Sequence, residues 1–121
     1  MNDCLEVTVR LVVVAGPYRS STEWGTFENI RRAEALALQL WMLNVAVICP
    51  HKNTANFGGA ADDQIWLEGA KEIVRRADAV VTLPGWEASE GACGEVELAN
   101  ELGIPVFSNA EEVSEWLQSQ A

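Results

Sequence analysis

Apolar and polar residues alternate along the chain in a pattern that predicts four strands and four helices. Short apolar runs rich in valine and isoleucine, typical of parallel strands buried on both faces, predict strands at 7–15, 45–49, 78–83 and 104–107. Apolar residues at helical spacing predict helices from Thr26 to about Asn44, from Asp62 or Asp63 to Ala77, from Ser89 to about Leu102, and over 110–119. The order β-α-β-α-β-α-β-α implies parallel strands with helices on both faces. We therefore predict a doubly wound, three-layer α/β sheet of the flavodoxin or Rossmann type, as one domain over residues 1–121.

The loops that follow the first three predicted strands contain more polar residues and glycines than plain turns require. They begin after Ala15, Cys49 and Leu83, and the second reads HKNTANFGGA. In a doubly wound sheet, ligands bind outside the carboxyl ends of the strands. Because all three loops lie at those ends, we expect a ligand site where they meet.

The charge balance limits the partners that the protein can have. Eighteen acidic residues against eight lysines and arginines give a formal net charge of −10. This argues against nucleic-acid polymers and anionic membranes as partners, and leaves open a local pocket for a small anionic ligand. No apolar stretch reaches the ~20 residues that span a bilayer, and residues 1–4 do not begin a signal peptide. We expect a cytoplasmic protein.

The cysteines give no sign of a disulfide framework or of a metal site. Cys4, Cys49 and Cys93 are odd in number and far apart, which favours reduced thiols, two of them buried, over a disulfide framework or a zinc site. No metal or cofactor is implied.

The predicted helix 26–44 carries more apolar residues than one stripe can hold, which is typical of extra core or of a subunit contact. We expect a homodimer or higher homo-oligomer.

The third predicted helix contains the residues most suggestive of chemistry. Gly91 and Gly94 fall in its first turns, where each costs roughly 1 kcal/mol relative to alanine, so something must approach that backbone closely. Gly91 and Glu95 share one face, whereas Glu97 points away. A carboxylate near a helix N-terminus is expected to stay ionised and reachable, as a nucleophile or an oxocarbenium stabiliser must be. The other interpretation is a solvated helix rich in acids.

Several short motifs, each weak alone, occur together within residues 9–107. They are Ala15-Gly16-Pro17-Tyr18, Asn29, Cys49-Pro50-His51, Ala77-Asp78-Ala79-Val80-Val81, and Ser89-x-Gly91-x-x-x-Glu95 followed by Leu102-Gly103-x-Pro105. Jointly they resemble the nucleoside 2-deoxyribosyltransferase-like superfamily, and most closely its uncharacterised, often phage-associated domain family. The resemblance implies an N-glycosidase or deoxyribosyltransferase that acts on a small nucleoside or nucleotide. In that superfamily, the glutamate aligned with Glu95 attacks the anomeric carbon of deoxyribose, and the sugar passes to another base or to water.

The resemblance also implies which residues hold the ligand. Ser89 stands where deoxynucleoside 5′-monophosphate hydrolases place a phosphate-binding serine, and Arg19 aligns with an arginine of the same phosphate-facing loop, although it also fits a plain surface arginine. We predict Glu95 as the catalytic residue. The predicted substrate-binding residues are Gly16, Pro17, Tyr18, Arg19, His51, Asn53, Ser89 and Gly91.

Two positions depart from the family pattern. The strand tyrosine that orients the nucleophile in relatives is Val13 here, and the aspartate eight residues before Asp78 is Ala70. Departure of a base usually needs protonation worth roughly 10²–10⁴ in rate. These losses leave open a second interpretation, a catalytically weak nucleotide-binding module, and a third, a purely structural domain, which the two helix glycines disfavour.

Residues of the loops can replace the missing groups, although each also has an ordinary structural explanation. The candidates for proton transfer are Tyr18, His51 and Asp62 or Asp63. Two loop tryptophans, Trp24 and Trp86, are candidates for stacking on a base, but such residues more often cover the edge of a core.

Overall fold

Strands and helices alternate from Leu11 to Ser119. The computed structural model describes residues 8–55 and 57–120. Its elements are β1 (Leu11–Ala15), α1 (Glu23–Trp41), β2 (Ala46–Ile48), α2 (Pro50–Asn53), α3 (Asp63–Arg75), β3 (Ala79–Thr82), a 3-10 turn (Trp86–Ala88), α4 (Glu90–Glu101), β4 (Val106–Phe107) and α5 (Ala110–Ser119). All four predicted strands and all four predicted helices are present, and the pattern missed α2 and the 3-10 turn.

The four strands form one parallel sheet in the order β2-β1-β3-β4. Val13 of β1 lies in register with Ile48 of β2 and with Val80 of β3, and Val80 pairs with Val106 of β4. The prediction of a doubly wound α/β fold is therefore confirmed. The chain steps from β1 to one side for β2 and to the other side for β3, so a crevice opens between the loops after β1 and β3.

The sheet separates two hydrophobic cores, because successive residues of a strand face opposite sides. Val12 and Val14 pack against α1 and α5, where the buried residues include Leu40 and Val113. The opposite face packs against α3 and α4, and its buried residues are Val13, Ala15, Val74, Ala77, Val80, Ala92 and Ala99. This second core supports the helices that border the crevice.

Helix α1 begins four residues earlier than predicted. Thr22, not Thr26, is its N-cap, and its hydroxyl accepts the Gly25 N–H at 2.9 Å. Thr26 lies inside the helix, and its hydroxyl accepts the Ser20 N–H at 3.1 Å. Both threonines can cap a helix, and contacts with the preceding loop decide between them. The helix ends at Trp41, before Asn44 reverses the chain with φ of 65°.

The strands are shorter than the apolar runs that predicted them. β1 begins at Leu11, where the Asp78 carboxylate accepts the Leu11 N–H at 2.8 Å. Thr8 and Val9 are exposed, and Val7 lies outside the described residues. Strand pairing of β1 therefore begins only at Leu11, although the apolar run begins earlier in the sequence.

The predicted apolar face of α3 is only partly buried. Val74 and the following Ala77 lie in the core, but Ile65 is 57% exposed and Gly69 is also exposed. The N-terminal half of this face borders a cavity and does not pack on the sheet. Helical spacing alone does not distinguish a face that packs on a sheet from one that lines a cavity.

Two expectations concern chemistry outside the sheet. Cys49 is buried and Cys93 is half-buried, and both are free thiols; Cys4 lies outside the described residues. Within residues 8–55 and 57–120, no helix is long and apolar enough to cross a membrane.

Candidate active site

A cavity of about 570 Å³ opens at the carboxyl ends of β1 and β3. Its walls are the loop after β1, the start of α2, the N-terminal half of α3 and the start of α4. The structure brings eight of the nine predicted site residues to this cavity: Gly16, Pro17, Tyr18, Arg19, His51, Ser89, Gly91 and Glu95. Residues from three separate loops thus meet at the crevice that the strand order creates.

Asn53 is the predicted site residue that does not line this cavity. The loop after β2 starts with the single helical turn α2, in which Pro50 occupies the first position. This turn leaves His51 facing the cavity and places Asn53, which is exposed, on a smaller groove beside α1. A loop without the helical turn was expected, and that expectation is wrong.

Glu95 is the deepest charged group of the cavity, with only 7% of its surface exposed. Burial raises the pKa of its carboxyl from 4.5 to about 7, and the positive charge of Lys71 opposes this rise only in part. Burial therefore opposes the expected effect of the helix N-terminus, which was to keep Glu95 ionised. Glu95 is the sixth residue of α4, and the effect of the helix dipole falls off within the first turn. Near neutral pH the carboxyl exists in both protonation states.

The two glycines of α4 allow α3 to pack closely against it. A Cβ atom at Gly91 would lie 3.2 Å from Cδ2 of Leu67, and one at Gly94 would lie 3.3 Å from Cε of Lys71. The close approach that these glycines predict is therefore made by side chains of α3. Glu97, two residues beyond Glu95, is exposed as predicted.

His51 holds the loop after β1 against the start of α2. It is 6% exposed, and its Nε2 lies 2.7 Å from the carbonyl oxygen of Pro17. Burial lowers the pKa of the imidazole, so the neutral ring donates its Nε2 hydrogen to that carbonyl. Its ring also contacts Tyr18 edge to face, with centroids 5.4 Å apart. His51 therefore both lines the cavity and holds the loop after β1 through a hydrogen bond.

The two residues predicted to bind phosphate are both engaged with protein groups. Ser89 caps α4, and its hydroxyl oxygen accepts the Ala92 N–H at 3.3 Å. The Arg19 guanidinium donates to the Asp63 carboxylate at 2.6 Å, and both side chains are more than half exposed. This ion pair joins the loop after β1 to the first turn of α3 at the edge of the cavity.

Besides the predicted Tyr18, the cavity has a second aromatic residue, Trp66, which the sequence did not single out. Trp66 lines it and lies with its ring centroid 5.7 Å from that of Phe57. Trp24 and Trp86 do not line the cavity. Trp24 is an exposed residue of α1 beside Phe27, and Trp86 packs on the core under α4. The sequence signal for Trp66 is its spacing: it lies one helical turn before Ala70, on the same face of α3. The structure shows that this face borders the cavity.

Comparison with known protein families identifies the family of this chain. The model of a family described as Domain of unknown function (DUF4406) matches residues 25–108, which is more than half of the chain. The chain belongs to the DUF4406 family. A search of curated proteins gave no match for this DUF4406 chain.

Two solved structures are similar to the DUF4406 chain. One is described as 2-deoxyribosyltransferase from the psychrotolerant bacterium Bacillus psychrosaccharolyticus, with a TM-score of 0.58 and 21% identity over 79% of this chain and 69% of that one. The other is a conserved protein from Enterococcus faecalis V583, with a TM-score of 0.58 and 22% identity over 82% of this chain. The alignment spans 62% of the Enterococcus chain. These similarities show a nucleoside 2-deoxyribosyltransferase-like fold.

The two positions that depart from the superfamily pattern have different surroundings in this DUF4406 chain. Val13 is fully buried in the core under α3 and α4. Ala70 is half-buried and lines the cavity. A tyrosine at residue 13 would have to fit into a fully buried position of the core, whereas an aspartate at residue 70 can reach the cavity.

We expect Val13→Tyr to lower the free energy of unfolding by about 1–3 kcal/mol, since it overpacks the core. Ala70→Asp is expected to change it by less than about 1 kcal/mol, because the new carboxylate can reach the cavity and its water. Urea denaturation of both variants measures the difference, with Ala70→Asn as the uncharged control. A Val13→Tyr variant as stable as the native protein would contradict the packing described for residue 13.

Proposed function

We propose that this DUF4406 domain is an N-glycosidase or deoxyribosyltransferase-like enzyme that acts on a small (deoxy)nucleoside or nucleoside 5′-monophosphate. The observation that carries the proposal is the Glu95 carboxyl, buried at a 570 Å³ cavity whose other walls come from the loop after β1 and the start of α2. Cavities of about 300–1,000 Å³ suit small ligands. The similarity in fold to a 2-deoxyribosyltransferase supports the same class of substrate.

In the proposed reaction, ionised Glu95 acts as the nucleophile. A carboxylate oxygen bonds to the anomeric carbon as the bond between that carbon and the base nitrogen breaks, and the base leaves with the bond's electron pair and takes up a proton. Water or a second base then displaces Glu95 from the sugar. Burial suits this role, because a poorly solvated carboxylate is well placed to stabilise the positive charge that develops on the sugar.

Protonation of the leaving base is assigned to groups that line the cavity. Of the candidates from the sequence, Tyr18 and Asp63 line it, whereas the Asp62 side chain caps α3 by accepting the Gln64 N–H. His51 donates its Nε2 hydrogen to Pro17. Tyr18 is therefore the proposed proton donor, because the Asp63 carboxylate is paired with Arg19. Trp66 is the proposed stacking surface for the base.

The test is to incubate the protein with a panel of deoxynucleosides and their 5′-monophosphates and to separate any free base by chromatography. We expect release of the base from at least one member of the panel, and exchange when a second base is added if the enzyme is a transferase. Val13 and Ala70 favour the second candidate function, a nucleotide-binding module without catalysis. Binding of a panel member with no release of base from any of them would establish that alternative.

A 5′-phosphate is expected to strengthen binding, through Arg19 and the N–H groups at the start of α4 next to Ser89. Calorimetry with paired nucleosides and monophosphates measures this preference, and Arg19→Ala should remove it. Asp63→Asn should increase it, because Arg19 then has no competing carboxylate at 2.6 Å. Equal affinities for the nucleoside and its monophosphate would count against both Arg19 and Ser89 as phosphate ligands.

The remaining expectations stay predictions. A single domain over residues 1–121, a cytoplasmic location, a phage association of the family and a homo-oligomeric state follow from the sequence or from the resemblance.

A further inference from the structure

One flank of α1 carries an exposed row of large side chains that the sheet does not cover. Its members recur at alternating spacings of three and four residues, which places them along a single line on the helix. The row, called here the α1 stripe, consists of Trp24, Phe27, Arg31, Glu34, Leu38 and Trp41. Its four apolar members are 46% to 66% exposed, and the neighbouring Met42 is 74% exposed.

The α1 stripe forms a continuous surface. The Trp24 and Phe27 rings have centroids 5.7 Å apart, and the Arg31 guanidinium lies 5.7 Å from the centre of the Phe27 ring. Nε of Arg31 then lies 3.6 Å from one oxygen of the Glu34 carboxylate, and the Lys52 ammonium beside the stripe donates to the other oxygen. The stripe therefore has aromatic residues at one end, a cation and an anion in the middle, and apolar residues at the other end.

The order of these residues is self-complementary when the helix is reversed. If two copies of α1 pack antiparallel about a two-fold axis between residues 32 and 33, each stripe residue meets the one at the mirrored position. Trp24 then faces Trp41 of the second copy, Phe27 faces Leu38, and Arg31 faces Glu34. Two helices that cross at about 20° contact each other through residues spaced alternately three and four apart along each helix. The α1 stripe has this spacing.

We propose that the α1 stripe is the interface of a homodimer, in which α1 of a second copy of this chain packs antiparallel on it. An interface with two-fold symmetry must be complementary to itself, and the α1 stripe meets this condition at all six positions. It also carries one positive and one negative charge, so two copies with a net charge of −10 each avoid repulsion there.

A groove beside the stripe gives the second copy a place for its tryptophan. The groove has a volume of about 350 Å³ and lies between α1, β2 and α2. Leu38 and Trp41 of the stripe line it, together with Val47 and Ile48 of β2, which is an edge strand. In the antiparallel pair, Trp24 of the second copy arrives at this end of the stripe, and the symmetry fills both grooves at once.

The size of the surface predicts a dimer of moderate affinity. Half of an aromatic side chain corresponds to about 100 Å², so the three aromatic residues with Leu38 and Met42 give on the order of 500 Å² per copy. Two copies then bury about 1,000 Å², close to the lower bound for specific interfaces. The dimer is therefore expected to dissociate on dilution.

Light scattering of the native protein over a dilution series tests the proposal directly. The expected result is a mass near twice 13.2 kDa at high concentration and a shift toward the monomer on dilution. Arg31→Glu and Glu34→Arg are each expected to weaken the dimer at least about tenfold, since each places like charges face to face. Arg32→Glu, the same charge change on the other flank of α1, is the matched control and should leave the mass unchanged.

Mixing the two charge variants distinguishes this interface from others. A copy with Arg31→Glu and a copy with Glu34→Arg have complementary stripes, so the mixture should recover the dimer mass that neither variant reaches alone. Circular dichroism checks that each variant is folded. A native protein that stays monomeric at all concentrations, a dimer that Arg31→Glu leaves intact, or folded variants whose mixture does not associate would overturn the proposal.

Discussion

Replacement of Glu95 by glutamine is expected to reduce base release by at least about 10⁴-fold while ligand affinity stays within about tenfold. The reason is that, in the proposed reaction, the bond from Glu95 to the anomeric carbon exists only along the reaction path, so its loss affects the transition state far more than the bound ground state. Single-turnover release of base and calorimetry on the same ligand measure the two quantities. Glu97→Gln is the matched control, because Glu97 lies on the same helix but is exposed.

The pH profile of base release by the native protein gives a second check on the proposed role of Glu95. A nucleophile must be ionised, and burial raises the pKa of this carboxyl to about 7, so the rate should rise as the pH passes through that value. A Glu95→Gln variant that releases base at the native rate would rule out Glu95 as the nucleophile. A variant that loses affinity and rate equally would instead indicate a binding role.

The same substitution should stabilise the folded protein at alkaline pH, by roughly 3 kcal/mol if the pKa of Glu95 changes from 4.5 in the unfolded chain to about 7 in the folded one. Because the folded pKa is the higher one, the folded state holds a proton that the unfolded state releases between these values. The stabilising contribution of protonated Glu95 is complete below pH 4.5 and is lost as the pH rises through 7. Glutamine keeps the neutral shape at every pH.

Urea denaturation at pH 5 and pH 8 measures this difference without any knowledge of the substrate. We expect Glu95→Gln to exceed the native protein in stability at pH 8 by much more than at pH 5. Glu97→Gln should show no such pH-dependent gain. An equal effect of Glu95→Gln at the two pH values would mean that the Glu95 carboxyl is better solvated than its burial indicates.

The order of strands and helices along the chain, and the bounds of α4 and α5, were predictable from local signals. Each β-branched run produced a strand, Ser89 was correctly predicted as the cap of α4, and α5 has the predicted bounds of 110–119. These features depend on neighbouring residues in the chain, which the sequence displays. The start of α1 was not predictable in this way, because Thr22 and Thr26 are equally good caps and a contact with Ser20 distinguishes them.

The electrostatics of the site depend on tertiary packing and could not be predicted from spacing. The position of Glu95 on α4 correctly predicted that it shares a face with Gly91. Its protonation depends on how closely α3 covers it, and nothing in the local sequence states that distance. Asn53 and Trp66 show the same limit. The helical turn α2 places Asn53 away from the cavity, and the orientation of α3 places Trp66 against it.

The missing side chain at Gly91 makes this position a natural control of ligand size. Leu67 is both the side chain that a Cβ at residue 91 would meet, at 3.2 Å, and a member of the cavity wall. A methyl group there would press Leu67 toward the ligand or move α3 outward by a few tenths of an ångström. A change one helical turn away from Glu95 would therefore alter the size of the cavity, and with it the size of ligand that fits, without altering Glu95 itself.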